Sequence, residues 1–152
     1  MHIFLFLLSC TEQQIDYGPK GDCNPLSEEH CLLPFPSDFY LRDDLSTPTG
    51  KRVDLSQNAL PVNIDDVPID PFYLNESDGF SIGSYLTVAL FDATLEGCIR
   101  WPDLEGYTDL DAKTIIIEEE SGRRIPHSVE REYFAKDSER ALLLLRPMIA
   151  LE

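Results

Sequence analysis

The chain has 152 residues, of which 43% are hydrophobic, so it can bury one ordinary core and not two. Its formal net charge is -16, from 28 acidic and 12 basic residues. This charge repels phosphate backbones and anionic lipid headgroups, which bind proteins through Lys and Arg, so we expect no nucleic-acid partner. The acidic side chains either form a solvated surface or gather around a hard cation such as calcium.

The first ten residues, "MHIFLFLLSC", predict an export signal over residues 1–9. The apolar run from Ile3 to Leu8 is far shorter than the ~20 residues that span a bilayer as a helix, and it resembles the end of a secretory hydrophobic region. Residues 7–10 resemble a bacterial lipobox, which implies diacylglycerol on Cys10. Thr11 follows in place of Asp, which by the same resemblance favours delivery to the outer membrane. The alternative is a hydrophobic first strand of the domain.

The cysteines also favour an exported protein. Cys23 and Cys31 enclose the compact segment "CNPLSEEHC". A local disulfide there would stabilise the fold by about 2 to 3 kcal/mol, and Cys98 would remain as a free thiol or as another candidate partner. A zinc site on Cys23, His30 and Cys31 competes with this interpretation. Adjacent His and Cys reach a tetrahedral ion poorly and no second ligand pair is evident, so we predict the disulfide, no metal and no cofactor.

Residues 10–22 are polar and contain two glycines, as expected of a tether, and residues 23–152 follow as the domain. Between residues 32 and 78, prolines recur and no apolar period of 3.6 is sustained, which excludes long helices. We call residues 32–78 the irregular arm. We expect its larger apolar side chains to anchor it against a sheet: Phe35, Phe39, Tyr40, Leu41, Phe72 and Tyr73.

Four strands are predicted in the second half, over residues 84–91, 114–118, 124–133 and 141–146, with turns at residues 121–122 and 136–140. Short strands without intervening helices favour a mainly β fold, an Ig-like β-sandwich with an irregular Pro-rich N-terminal segment. The apolar run "ALLLLRPMIALE" predicts a sandwich that is incomplete at its C-terminus. On this interpretation the neighbours of the last strand lie beyond Glu152.

Residues 79–83, "GFSIG", match the G-x-S-x-G pattern that presents a nucleophilic serine. A nucleophile elbow has a strand before the serine and a helix after it, whereas here a loop precedes Ser81 and a predicted strand follows. His127 lies in another predicted strand, where a core or half-exposed histidine is expected. We therefore predict a non-catalytic chain in which Gly79 and Gly83 supply positive φ angles. A serine hydrolase that uses Ser81 and His127 is the alternative.

Calcium binding is a further alternative. Asp109 and Asp111 in "DLDAK" are candidates, as are Asp65, Asp66 and Asp70. Neither group has EF-hand spacing, and the EF-hand glycine and terminal glutamate are missing.

Several segments in one order carry a family resemblance: "CLLPFPSDFYLRDD", "STPTGKRVDL", "DGFSIGSYLTVAL", "SGRRIPH" and "RALLLLRPMIALE". Together they resemble the N-terminal part of large secreted lipoproteins of proteobacteria, similar to the N-terminal β-sandwich region of virulence-type extracellular lipases. The resemblance covers residues 23–152 and implies an Ig-like domain ahead of a separate hydrolase domain. It transfers no catalytic residue onto this chain. It implies a stalk or interaction platform whose partners are the membrane, through the lipid anchor, and a downstream domain or another envelope protein.

Overall fold

The structure is a computed structural model that describes residues 21–26, 30–132 and 140–151. Within these ranges the regular elements are five β-strands and four short 3-10 helices, without an α-helix. The strands are β1 (Leu41–Asp43), β2 (Lys51–Val53), β3 (Leu86–Phe91), β4 (His127–Arg131) and β5 (Arg140–Pro147), and the 3-10 helices are Asp38–Tyr40, Gln57–Ala59, Leu74–Glu76 and Glu105–Thr108. The predicted mainly β class is confirmed for this part of the chain. Residues 1–9 and Cys10 lie outside the described residues.

The larger sheet is antiparallel and has the order β3-β5-β4. Leu145 of β5 lies opposite Leu86 of β3 on one side and Val129 of β4 on the other. A central strand has neighbours along both edges, which suits the apolar run of β5. The prediction that the neighbours of this strand lie beyond Glu152 is therefore wrong, because β3 and β4 supply them.

The smaller sheet is a short hairpin of β1 and β2, in which Arg42 lies opposite Arg52. Its turn is closed by a 2.9 Å hydrogen bond from the N–H of Asp44 to the carbonyl of Gly50, whose φ is 71°. Glycine adopts this left-handed conformation without a steric cost. The sequence did not predict either strand, since three-residue strands are too short to display an apolar alternation.

The predicted strand over residues 114–118 is mostly irregular. It forms one bridge, between Ile117 and Arg124, and hydrogen bonds that join Glu118 to Arg123 and Ile125 to Ile116. The turn that follows was predicted correctly, and Gly122 there has a φ of 68°. The return strand is also shorter than predicted, since regular pairing with β5 begins only at residue 127.

A hydrophobic core lies between the irregular arm and the β1-β2 hairpin. Its buried residues are Tyr40, Val53, Leu55 and Ala59, and the partly buried residues around them include Phe35, Phe39 and Leu41. Phe35 also connects this core to the larger sheet, because its N–H and carbonyl both bond to Thr87 of β3, at 2.9 and 2.7 Å.

Two of the predicted anchors do not pack against a sheet. Phe72 is 58% exposed and Tyr73 is 79% exposed, and the two rings contact each other edge to face with their centroids 5.1 Å apart. The prediction that they anchor the arm is therefore wrong. They lie at the end of a loop that projects from the core.

Candidate functional site

The G-x-S-x-G segment forms a turn that enters β3. The N–H of Ser84 donates to the carbonyl of Ser81 at 3.0 Å, and the N–H of Gly83 donates to the Ser81 hydroxyl oxygen at 3.3 Å. Neither Gly79 nor Gly83 has a positive φ, so the prediction for these glycines is wrong. The physical reason is that the backbone and hydroxyl of Ser81 close the turn, which then needs no left-handed residue.

His127, the other residue of the hydrolase hypothesis, is completely buried at the start of β4. Its Nδ1 lies 2.9 Å from the carbonyl oxygen of Ile125, and its Nε2 lies 3.0 Å from the hydroxyl oxygen of Thr114. Both ring nitrogens therefore have hydrogen-bond partners within the protein. Pro147 lies opposite His127, and the N–H of Leu151 donates to the carbonyl of Ile82 in the Ser81 turn.

Cys23 and Cys31 form a disulfide, which is the predicted pairing. Because both sulfur atoms are consumed in this bond, they cannot act as the thiolate ligands of the zinc alternative with His30. Cys98 is a free thiol that is partly buried.

The calcium candidates fall into two separate places. Asp109 and Asp111 line one cavity of about 300 Å³ together with Asp103, whereas Asp65, Asp66 and Asp70 lie on another loop, residues 61–73. Among the residues that the structure describes, no group of three or more His, Cys, Asp or Glu side chains is placed to hold a metal ion.

The projecting loop comprises residues 61–73 and is fixed firmly at its base. Asn75, just after the loop, accepts a 2.9 Å hydrogen bond from the N–H of Leu55 and donates one of 2.9 Å to the Leu55 carbonyl. Leu60 and Leu74, which flank the loop, line one mainly apolar cavity of about 280 Å³ with core residues. The loop therefore begins and ends close together on the core, as in a compact surface loop of the Ω type.

The loop also has internal order, which comes mainly from Asn63. Its side-chain oxygen accepts hydrogen bonds from the N–H groups of Asp65 and Val67, at 2.8 and 2.9 Å. Its N–H donates to the Val67 carbonyl at 3.0 Å, and Val62 forms a bridge with Pro68. These bonds hold the backbone in a defined shape although the side chains bury little surface.

The apolar side chains of the 61–73 loop face solvent. Every residue from 61 to 70 is exposed. Ile64 is 98% exposed, and the other large apolar side chains of the loop are between 40% and 79% exposed: Val62, Val67, Ile69, Phe72 and Tyr73. Single exposed apolar residues are ordinary, but several of them on one ordered loop are typical of an interaction surface.

The charge around this loop is one-sided. Residues 53–99 contain eight acidic residues and no Lys, Arg or His. The acidic residues are Asp54, Asp65, Asp66, Asp70, Glu76, Asp78, Asp92 and Glu96. Arg52 reaches the base of the loop, where it donates to the carbonyl of Glu76, and its charge is paired with Asp44 at 2.6 Å. The loop therefore combines exposed apolar side chains with the negative charges of Asp65, Asp66 and Asp70.

Comparisons of the chain with profiles of protein families, with curated proteins and with solved structures found no significant match. Within residues 21–26, 30–132 and 140–151, no helix has the length and apolar character needed to cross a membrane. The 61–73 loop is the candidate functional site because it presents exposed apolar side chains on an ordered backbone.

Proposed function

We propose that this chain is a non-catalytic module of a cell-envelope lipoprotein, held at the outer membrane by diacylglycerol on Cys10. In this role it is a stalk or interaction platform for a larger surface protein. The observation that carries the proposal is the ordered 61–73 loop, which presents apolar side chains to solvent from a firmly anchored base. A loop of this kind gains free energy when a partner covers it, since each large apolar side chain that becomes buried contributes about 1.5 to 3 kcal/mol.

Two other features support export and attachment. The apolar run that ends at Ser9 and Cys10 has the order of a lipoprotein signal. The disulfide between Cys23 and Cys31 is typical of an oxidising compartment such as the periplasm or the cell surface. The partner is either a downstream domain of the same protein or another envelope protein.

The fold that we propose is an Ig-like β-sandwich, as in the N-terminal region of the lipoproteins that the sequence resembles. Two antiparallel sheets without an intervening α-helix in the described residues support this assignment. In such a fold, interaction residues lie on loops that a rigid scaffold positions, which agrees with the position of the candidate site on a loop.

Labelling with palmitate tests the anchor. We expect the full chain to incorporate label and to fractionate with membranes, and Cys10→Ala to lose both properties. Cys98→Ala is the matched control, since it removes a cysteine that does not follow the apolar run. If Cys10→Ala leaves labelling and membrane association unchanged, the anchoring proposal is wrong.

A fluorophosphonate probe tests the non-catalytic assignment, because only an activated serine reacts with it. We expect no labelling that depends on Ser81. Ser84→Ala is the matched control, since Ser84 lies in the same turn. Labelling that disappears in Ser81→Ala and persists in Ser84→Ala would show a serine hydrolase instead.

A further inference from the structure

We propose that the 61–73 loop binds a basic amphipathic segment of a partner protein, one that carries Lys or Arg beside apolar side chains. This inference rests on the proposed function, because it specifies the partner of the interaction platform. Three observations carry it: the exposed apolar side chains, the ordered backbone and the exposed acidic side chains of Asp65, Asp66 and Asp70.

The apolar side chains require a partner that is itself partly apolar. Ile64, Phe72 and Tyr73 are the most exposed large side chains of the loop, at 98%, 58% and 79%. Aromatic side chains are enriched among the residues that dominate binding energies, and here two aromatic rings contact each other at the end of the loop. A purely polar partner would leave these apolar side chains in contact with water, so that their burial would contribute no free energy to binding.

The acidic side chains of the loop favour a partner with positive charge. Asp65, Asp66 and Asp70 alternate with the apolar residues along the loop and are all exposed. A surface with complementary charge speeds association and favours the correct partner, whereas juxtaposed like charges cost free energy. A segment with Lys or Arg around an apolar centre fits both features of the loop.

The same charge disfavours the other possible occupants. A second copy of this chain would bring together two surfaces that each belong to a molecule with a net charge of -16. An anionic membrane surface and a nucleic acid are repelled for the same reason. A basic protein segment is the class of partner for which apolar burial and electrostatic attraction act together.

The backbone of the loop is preorganised by hydrogen bonds. The two hydrogen bonds to the Asn63 side chain and the two between Asn75 and Leu55 fix its middle and its base. A surface that is already ordered loses less conformational entropy when a partner docks. We therefore expect the loop to keep its shape in the complex.

The test uses the full chain with Cys10→Ala, so that no acyl group competes for an amphipathic probe. The probe is a fluorescent synthetic peptide of Leu and Lys arranged as an amphipathic helix, and fluorescence anisotropy measures its Kd. A second peptide has Glu in place of every Lys, and a third has the Leu and Lys order scrambled so that no apolar face forms. We expect only the first peptide to bind well, with an affinity that falls as salt is added.

Substitutions then locate the site. We expect Ile64→Ser combined with Phe72→Ser to raise the Kd at least about tenfold, as for a central pair of interface residues. Leu45→Ser combined with Leu110→Ser is the matched control, since these side chains are 95% and 98% exposed outside the loop. Because all four side chains are exposed, the melting temperature should stay unchanged in both double variants.

A second pair of variants tests the charge. The first variant replaces Asp65, Asp66 and Asp70 with Asn. We expect it to raise the Kd about tenfold and to weaken the dependence of the Kd on salt. The control neutralises three exposed acidic residues elsewhere, by Asp111→Asn, Glu119→Gln and Glu120→Gln. Equal weakening by both triple variants would mean that the peptide responds to overall charge, and the proposal would be wrong.

Three further results would overturn the proposal. They are equal binding of the Glu peptide, binding of the chain to phosphatidylglycerol vesicles through the loop, and loop-dependent dimerisation in sedimentation. The outcome is independent of the anchoring test, because the peptide titration uses a chain without Cys10. Failure of peptide binding with intact palmitate labelling would reject this partner class alone, and the converse result would reject the lipid anchor alone.

Discussion

The hydroxyl of Tyr40 donates a 2.5 Å hydrogen bond to the carbonyl of Cys31, and through it the disulfide loop is held on the hydrophobic core. The same hydroxyl accepts a 3.0 Å bond from the N–H of Asn24. The ring itself is 1% exposed and belongs to the core with Val53 and Leu55. One side chain thus connects the core to both ends of the segment that the disulfide closes.

We expect Tyr40→Phe to lower the free energy of unfolding by about 1 to 3 kcal/mol, because a buried carbonyl and N–H lose a partner while the ring still fills the core. Chemical denaturation measures the change. Tyr73→Phe is the matched control, since the Tyr73 side chain is 79% exposed, and it should alter stability by less than about 0.5 kcal/mol. Equal effects of the two variants would contradict the role of the Tyr40 hydroxyl.

Reduction of the disulfide between Cys23 and Cys31 should cost about 2 to 3 kcal/mol, the loop-closure entropy expected for their sequence separation of 8. Peptide mapping without reductant should recover this link, and Cys98→Ala should leave it intact. We also expect Tyr40→Phe to cost less in the reduced protein, because the loop that receives its hydrogen bond is then less constrained. If the losses of stability from disulfide reduction and from Tyr40→Phe are strictly additive, the disulfide and the Tyr40 hydroxyl act independently.

The larger sheet could be predicted from the sequence because its signals are strong and local. Alternation along β3 and the apolar run of β5 predicted strands that the structure contains. Strands β1 and β2 could not be predicted, since their hairpin depends on a turn at Gly50 and on an ion pair between Asp44 and Arg52, which no apolar pattern reveals. Residues 114–118 are rich in isoleucine, yet only one bridge forms there, between Ile117 and Arg124.

The candidate site could be predicted only in part. The three aspartates of the 61–73 loop were predicted as candidate calcium ligands, and Phe72 and Tyr73 as anchors against a sheet. The sequence shows apolar and acidic residues alternating between prolines, and this signal could have indicated an exposed loop. The direction of the side chains could not be predicted, because it depends on the long-range contact of Asn75 with Leu55.

Asn75→Ala should loosen the base of the 61–73 loop. It removes two 2.9 Å hydrogen bonds to the backbone of Leu55, and we expect a loss of about 1 to 3 kcal/mol in the free energy of unfolding. We also expect faster proteolytic cleavage within the loop, since local opening exposes its backbone. Asn58→Ala is the control, because Asn58 makes an exposed bond to Asp22. Unchanged cleavage of the Asn75→Ala protein would contradict the anchoring role.

The stability of the β1-β2 hairpin should depend on pH through Asp44. Hydrogen bonds from the hydroxyl and N–H of Ser46 and from Arg52 hold the pKa of the Asp44 carboxyl well below its usual range. The folded state therefore binds the proton less readily than the unfolded state does. The stabilisation is complete above the ordinary aspartate pKa of about 3.9 and is lost as the pH falls through the lower value of the folded state.

We expect Asp44→Asn to be less stable than the parent chain at pH 7 and to lose less stability on acidification below about pH 5, so that the two stability curves converge in acid. Urea unfolding from neutral to acidic pH measures both curves. Asp43→Asn is the matched control. Lys51 also lowers the pKa of Asp43, but the side chain of Asp43 is 85% exposed, and an exposed ion pair contributes little to stability. If Asp44→Asn shows the same acid dependence as the parent chain, the bonds from Ser46 and Arg52 do not stabilise the hairpin.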